Sequence, residues 1–269
     1  MRETPPVARR GRWPFVSGAL SARVVPREGV KNVSVTSAPT STPDGKAVIR
    51  SGGYGNADLF RSSDGAFVEK DFTRKPFAVR HAFGRWMVAR EFSALRTLAG
   101  TGFVPGNVSR PSPLVLRMAF VPGPTLRAIE LAREYPEART EKPFCDYPED
   151  IKRCDTLAAR FFPALFEAVR AFHACGVVHL DLHNARNILR TLSDRPCVLD
   201  WQSSLSTRSL PSPVRRFLEN IDLAGVCKLQ ERICPGTLSA DWLAFLNRQR
   251  KIRRLWPLRG YMFSKKKTK

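Results

Sequence analysis

Residues 179–189 read HLDLHNARNIL, and Asp200 stands eleven residues past Leu189 inside the run VLDWQ. Five polar side chains (His179, Asp181, His183, Asn184, Asn187) crowd into nine positions with apolar residues on both sides. The run Cys197-Val198-Leu199 reads as a short buried strand that ends on the Asp200 carboxylate. A carboxylate at the end of an apolar strand costs desolvation unless a cation compensates it, and Mg²⁺ is a cation that does so. One reading is that two acid-bearing loops answer to a shared positive charge. The rival explanations are an Asp200 that caps a turn beside a buried His179, and zinc bound by His179 and His183. Zinc lacks a cysteine or third histidine nearby.

The rest of the chain divides by composition. Residues 1–46 are rich in Pro, Ser, Thr and Arg with few large apolar side chains, a composition that predicts a flexible basic segment. Order is expected from Ala47. Short strands are predicted at Ala47–Arg50, Ala57–Arg61 and Ala66–Phe72, the last two joined through Ser63-Asp64-Gly65. A helical stripe of Val88, Phe92, Leu95 and Leu98 spans residues 85–99 and stops at Gly100. Leu114–Val121 is an apolar run closed by Pro122-Gly123, and residues 132–155 are charged and read as a loop. A helical pattern returns from Thr156 to Ala174, with Pro163 marking either a kink or the true start. Two further helices are expected over Phe217–Ile233 and Ser239–Trp256, the second with Ser239 as N-cap. Strands and one helix first, then mostly helices, make an α+β arrangement with two lobes.

Phosphoryl transfer to an alcohol needs amides and a cation on the phosphates, acids for Mg²⁺ and a carboxylate for the hydroxyl proton. The sequence offers these in order. Gly52, Gly53 and Gly55 lie between two strands, where bare backbone can approach phosphate. Lys70 follows on the next strand and Glu91 in the first helix. Taken singly, each is as well explained by a hairpin turn, a surface strand or a helix surface.

Together these parts resemble the protein-kinase-like superfamily, and HLDLHNARNIL with VLDW resembles its catalytic and metal-binding loops. The stretch KDFTRKPFAVRHAFGRWMVAREFSALRTLAG, then VP, LRMAFVPGPTL and the loop, is most similar to bacterial lipopolysaccharide-kinase-like proteins that act on inner-core heptose or 3-deoxy-manno-octulosonic acid. The resemblance runs from about Ser51 to about Pro235. It implies a bilobal fold with a small β-rich N-lobe carrying one helix (47–122) and a shortened helical C-lobe (123–247), followed by a basic tail (248–269). It also implies ATP and Mg²⁺ as cofactors, with Gly53 and Gly55 over the phosphates and Lys70 on them, partnered by Glu91. Arg117, Met118 and Phe120 would lie in the hinge against adenine. Asp181 would be the catalytic base, Asn187 and Asp200 the metal ligands, and Asp222 the acid bracing the catalytic loop. The loop departs from the common pattern by one extra residue before Asn187, which leaves Asn184 as an alternative ligand. It also reads DWQ where protein kinases carry a glycine. A degenerate nucleotide-binding pseudokinase is the alternative that these departures leave open.

Only about sixteen residues separate Asp200 from Phe217, too few for a peptide-docking segment. A sugar or lipid-linked saccharide acceptor is therefore expected ahead of a protein, with an atypical serine/threonine kinase as the alternative. The net charge of +21 calls for an anionic partner. The stretch 248–269 carries ten basic residues and no acid, interleaved with aromatics. That pattern suits an anionic membrane surface, with nucleic acid as the competing partner. No apolar run reaches the roughly 18 residues of a membrane span, and no secretory signal is evident. The six cysteines lack metal-ligand spacing, so reduced thiols and a cytoplasmic location, up to the inner face of the membrane, are expected.

Overall fold

Alternation of apolar and polar residues in DLFR and FVEKD is the period of a half-buried strand, and these segments form the middle of an antiparallel sheet. The computed structural model describes residues 46–53, 56–134 and 156–255. The chain divides into Met1–Thr36 and Ser37–Lys269, and every described residue lies in the second unit. The strands are β1 (Ala47–Arg50), β2 (Asp58–Arg61), β3 (Phe67–Asp71), β4 (Ser109–Ser112) and β5 (Val115–Ala119). Their order is β1-β2-β3-β5-β4. The expected hairpin turns where predicted, with Gly65 at φ 71° and the Asp64 carboxylate accepting from Ala66 N at 2.9 Å.

In β3 and β5, Lys70 sits opposite Leu116 and Val68 opposite Met118, while Glu69 sits opposite Arg117. Opposed residues share a face, so Lys70 lies on the side of the buried Leu116 and Met118, and Glu69 and Arg117 on the other. The Lys70 face is covered by a helix that starts earlier than its apolar stripe suggests. Helical backbone begins at α1 (Phe77–Val79), widens into a π-turn at Arg80–Gly84 and continues without a break as α2 (Arg85–Leu98). Gly84 permits the close approach, since a Cβ there would stand 3.0 Å from that of Phe72.

The helical part follows. Helix α3 (Leu126–Glu134) was not predicted, and its last residues were assigned to the loop from 132. Nine residues give too few turns for a readable stripe, though Thr125 Oγ1 caps its start by accepting from Ala128 N. A π-turn (Leu157–Phe161) leads into α4 (Phe162–Ala174), which places Pro163 in the first turn of the α segment. Helical backbone runs on through it, and the widened turn just before, closed by Phe162 N on Leu157 O, is where the helix accommodates the proline. Helix α5 (Ser212–Ile233) begins five residues before Phe217, and α6 (Ala240–Leu255) follows, with Ser239 Oγ accepting from Trp242 N. Trp242 stacks on Phe166 at 4.4 Å and ties α6 to α4.

Between these helices lie two small ladders. Val177–Val178 (β6) pairs with Leu205–Ser206 (β9), and Ile188–Arg190 (β7) pairs with Pro196–Val198 (β8). The core is continuous from Leu116 and Leu95 through Phe161, Phe172 and Trp201 to Val226 and Leu229. Cys175, Cys197, Cys227 and Cys234 are free thiols, while Cys145 and Cys154 lie outside the described residues. Among the described residues no helix is long and apolar enough to cross a membrane.

Candidate functional site

Three segments far apart in sequence meet at one ammonium group. Lys70 Nζ donates to both oxygens of Glu91, at 2.7 and 2.9 Å, and to Asp200 Oδ1 at 2.8 Å. Glu91 is 1% exposed, and its Oε1 also accepts from Trp201 N at 3.2 Å. Burial alone would lower the Lys70 ammonium, but the two carboxylates outweigh it and hold its pKa above the ordinary lysine value. For Asp200 burial pushes upward and Lys70 pulls down harder, leaving it below the usual carboxylate range. Glu91 is raised, because burial together with the Asp200 charge exceeds what Lys70 returns.

The polar loop is built around its histidine. His179 is fully buried; Asp181 N donates to its Nδ1 at 3.2 Å, and its Nε2 lies 3.0 Å from Leu199 O. Those partners assign the proton to Nε2, which donates to the Leu199 carbonyl and fastens the loop to the strand that delivers Asp200. Beneath it, the Asp222 carboxylate accepts from His179 N at 2.8 Å and Leu180 N at 2.7 Å. This double acceptor holds Leu180 at φ 67°, and Asp200 takes φ 62°. Two non-glycine residues in left-handed backbone within one site are strain that the surrounding bonds must support.

Asp181 and Asn187 come together. Asn187 Nδ2 donates to Asp181 Oδ2 at 2.9 Å and to Asp181 O at 3.2 Å, which turns the amide oxygen away and leaves it to accept from a cation. Asn184 Nδ2 reaches Asp181 only at 3.4 Å, while its Oδ1 caps the turn at Arg186 N. Between the two candidates, Asn187 is the buried one.

Other expected members stand differently. Arg117 does not join Lys70: strand alternation puts it on the opposite face, bonded to Glu69 Oε1 at 2.6 Å. Met118 is buried in the core on the Lys70 side. Phe120 N donates to Ala66 O at 2.8 Å, so that hinge amide is already engaged, and the Arg61 guanidinium covers the ring at 3.9 Å. Gly53 has open space around it, whereas Gly55 lies outside the described residues. The steric demand for glycine falls on Gly52, where a Cβ would stand 2.2 Å from Ala57 O.

Several contributors were not singled out from sequence. Lys75 Nζ bonds Asp58 Oδ1 at 2.7 Å and Gly52 O at 2.9 Å, and Asp58 Oδ1 accepts from Gly52 N, so a half-hidden ion pair clamps the root of the glycine segment. His183, by contrast named from the sequence as part of the polar loop, lies with Nδ1 3.2 Å from Asp181 Oδ1 and is largely exposed. Trp201, fully buried, donates Nε1–H to Val198 O and packs edge-on against His179 and Phe172. An acid hidden behind an apolar strand gave a signal for Asp200; nothing local distinguishes Lys75 from the other lysines.

Among the described residues no three His, Cys, Asp or Glu side chains gather as a metal cluster. One carboxylate and one amide oxygen still fit Mg²⁺, which keeps several waters and completes its shell with phosphate oxygens. Comparison of the sequence with models of protein families and with curated proteins finds no match.

Proposed function

We propose that this chain is an ATP-dependent phosphotransferase of the protein-kinase-like type, with a sugar hydroxyl of a lipopolysaccharide core or other lipid-linked saccharide as acceptor. The observation that carries the reading is the Lys70 ammonium bonded at once to Glu91 and Asp200, from segments 21 and 130 residues away. Such a cation, beside a Gly-rich turn and an Asp181–Asn187 pair, matches the parts list for γ-phosphoryl transfer. On this reading the five-stranded sheet with helix 77–98 is the nucleotide-binding lobe, and the helices from Leu126 onward form the catalytic lobe of a bilobal kinase-like fold.

Asp181 is oriented by Asn187 and would accept the proton of the acceptor hydroxyl as that oxygen bonds the γ-phosphorus and the bond from the γ-phosphorus to the β,γ-bridging oxygen breaks, with ADP leaving. Lys70 exchanges part of its bonding from Glu91 and Asp200 to the α- and β-phosphate oxygens. Asp200 and the Asn187 amide oxygen would hold Mg²⁺, whose charge offsets that of the phosphates. Leu199 and His179 fix the distance between the Asp181 and Asp200 loops. Most of the acceleration then comes from prearranged charge.

The short link from Asp200 to α5, only eleven residues to Ser212, supports a small or sugar-like acceptor over a docked peptide. The basic tail, whose residues 256–269 lie outside those described, fits an anionic surface such as the cytoplasmic face of a membrane. The test uses purified protein, labelled ATP and separate lipid-linked saccharide and protein fractions. Label is expected in the saccharide lipid, and Asp181→Ala is expected to lower that rate about 10³-fold with nucleotide binding retained. Unchanged turnover in Asp181→Ala, or label only in protein, overturns the reading.

A further inference from the structure

The helix that delivers Glu91 leaves its other end bare. Within ten residues Phe77 is 70% exposed, Phe83 61% and Trp86 54%. Ala78 and Ala82 are exposed between them. By helical spacing Ala78, Ala82 and Trp86 follow one line along the rod, with Phe77 and Phe83 to either side of it. The opposite side is committed to the core, with Val79, Gly84 and Val88 buried. The result is a convex apolar ridge on an outer surface, built at a π-turn. Widened turns of this kind are frequent at functional places, and contiguous exposed apolar surface on a folded domain marks an interaction site.

The surrounding charge selects the partner. Residues 72–90 contain five Lys or Arg and no acid. Arg80 and Arg85 lie on the ridge segment itself, Arg80 near the ring of Phe77 (5.9 Å) and bonded through Nη1 to Thr73 O. Arg90 covers Trp86 at 4.7 Å. His81 packs on Phe77 at 4.3 Å. Aromatic and small apolar residues at the centre with cations at the rim are the arrangement of a helix lying in an anionic lipid interface. A single-stranded nucleic acid would instead call for a groove with bases stacked along it, and this surface is convex.

We infer that the Phe77–Trp86 ridge is a docking surface for an anionic lipid membrane, into which Phe77, Phe83 and Trp86 insert while Arg80 and Arg85 meet the headgroups. It is independent of the phosphotransfer reading, so either can fail without the other. The experiment compares the full chain with F77S/F83S/W86S in co-sedimentation with phosphatidylglycerol-containing vesicles, phosphatidylcholine vesicles and single-stranded RNA. The wild type is expected to pellet with the anionic vesicles. The triple variant should fall at least about tenfold in partitioning with an unchanged melting temperature. A conservative second variant, Trp86→Phe, is read by tryptophan quenching with bromine-labelled lipid, and it should lose a large part of the quenching shown by the wild type. Equal vesicle binding by the triple variant, quenching by Trp86→Phe equal to the wild type, or loss of RNA binding alone overturns the proposal.

Discussion

Lys70 illustrates how one side chain can be both a functional candidate and a structural necessity. Its removal would strand Glu91, which is 1% exposed and, among the described residues, keeps a bond from Trp201 N. Breaking a buried pair from one side costs roughly 3 kcal/mol, because the surviving charge stays desolvated. Lys70→Met is therefore expected to lower urea stability by about that amount, and Lys70→Met/Glu91→Gln to recover most of it. In the single variant burial still raises Glu91 and no Lys70 charge opposes it. The folded form then holds a proton that the unfolded form has released, and stability falls as pH rises from about 4.5. Urea midpoints at pH 5 and pH 7 should show the gap to wild type narrowing in acid; a constant gap would place the cost elsewhere. The resemblance implied Lys70 and Glu91 as partners and they do pair, but taken singly each is an ordinary residue, since a spacing of 21 carries no period. Only the pairing of strand and helix in space unites them.

Among the elements, α5 does most to shape the polar loop over residues 179–187. Asp222 receives two successive backbone N–H groups, and Gly225 one turn later lets the helix press close, since a Cβ there would stand 3.0 Å from His183 N. Asp222→Asn keeps one acceptor oxygen but turns an amide donor toward the other N–H, leaving it unsatisfied. The expected cost is about 2 kcal/mol in urea unfolding together with slower turnover; intact stability and turnover would refute the bracing role. Asp222 was legible only through resemblance, as a polar residue in an otherwise mixed helix. The strands β2 and β3 and the helix over 85–98 were readable because their periods run over enough residues. The strand β4, SRPS, has neither period nor β-branched residues and owes its conformation to pairing with β5. Arg117 faces away from Lys70 for a related reason, because the resemblance assigns it to a hinge while alternation along β5 decides its face.

At the level of the whole molecule, alkaline stability should report on the burial that organises it. Burial pushes the Cys197 and Cys227 thiols up to about 12, and the paired carboxylates hold Lys70 above 10.5. In each case the folded state keeps a proton that the unfolded chain loses first. Stability is thus expected to fall as pH rises from about 9, with Lys70 adding to the loss above 10.5. Urea midpoints from pH 8 to 11 should decline in the wild type and be flatter in Cys197→Ala/Cys227→Ala from about pH 9 upward; identical slopes would contradict the assignment. The α+β order was legible in the succession of strand and helix patterns. The ladder β6–β9 was not foreseen, being a two-residue contact fixed by the loops it joins, whereas the short strand before Asp200 was expected and pairs with Ile188–Arg190 as a hairpin. Trp201 carries a practical corollary. With its indole caged by His179 and Phe172, its amide on Glu91 and no glycine after it, the Asp200 segment has one way to sit. Turning that segment outward would mean extracting a tryptophan from the core, so the carboxylate of Asp200 is kept pointing at Lys70 by the anchored residue that follows it in the chain.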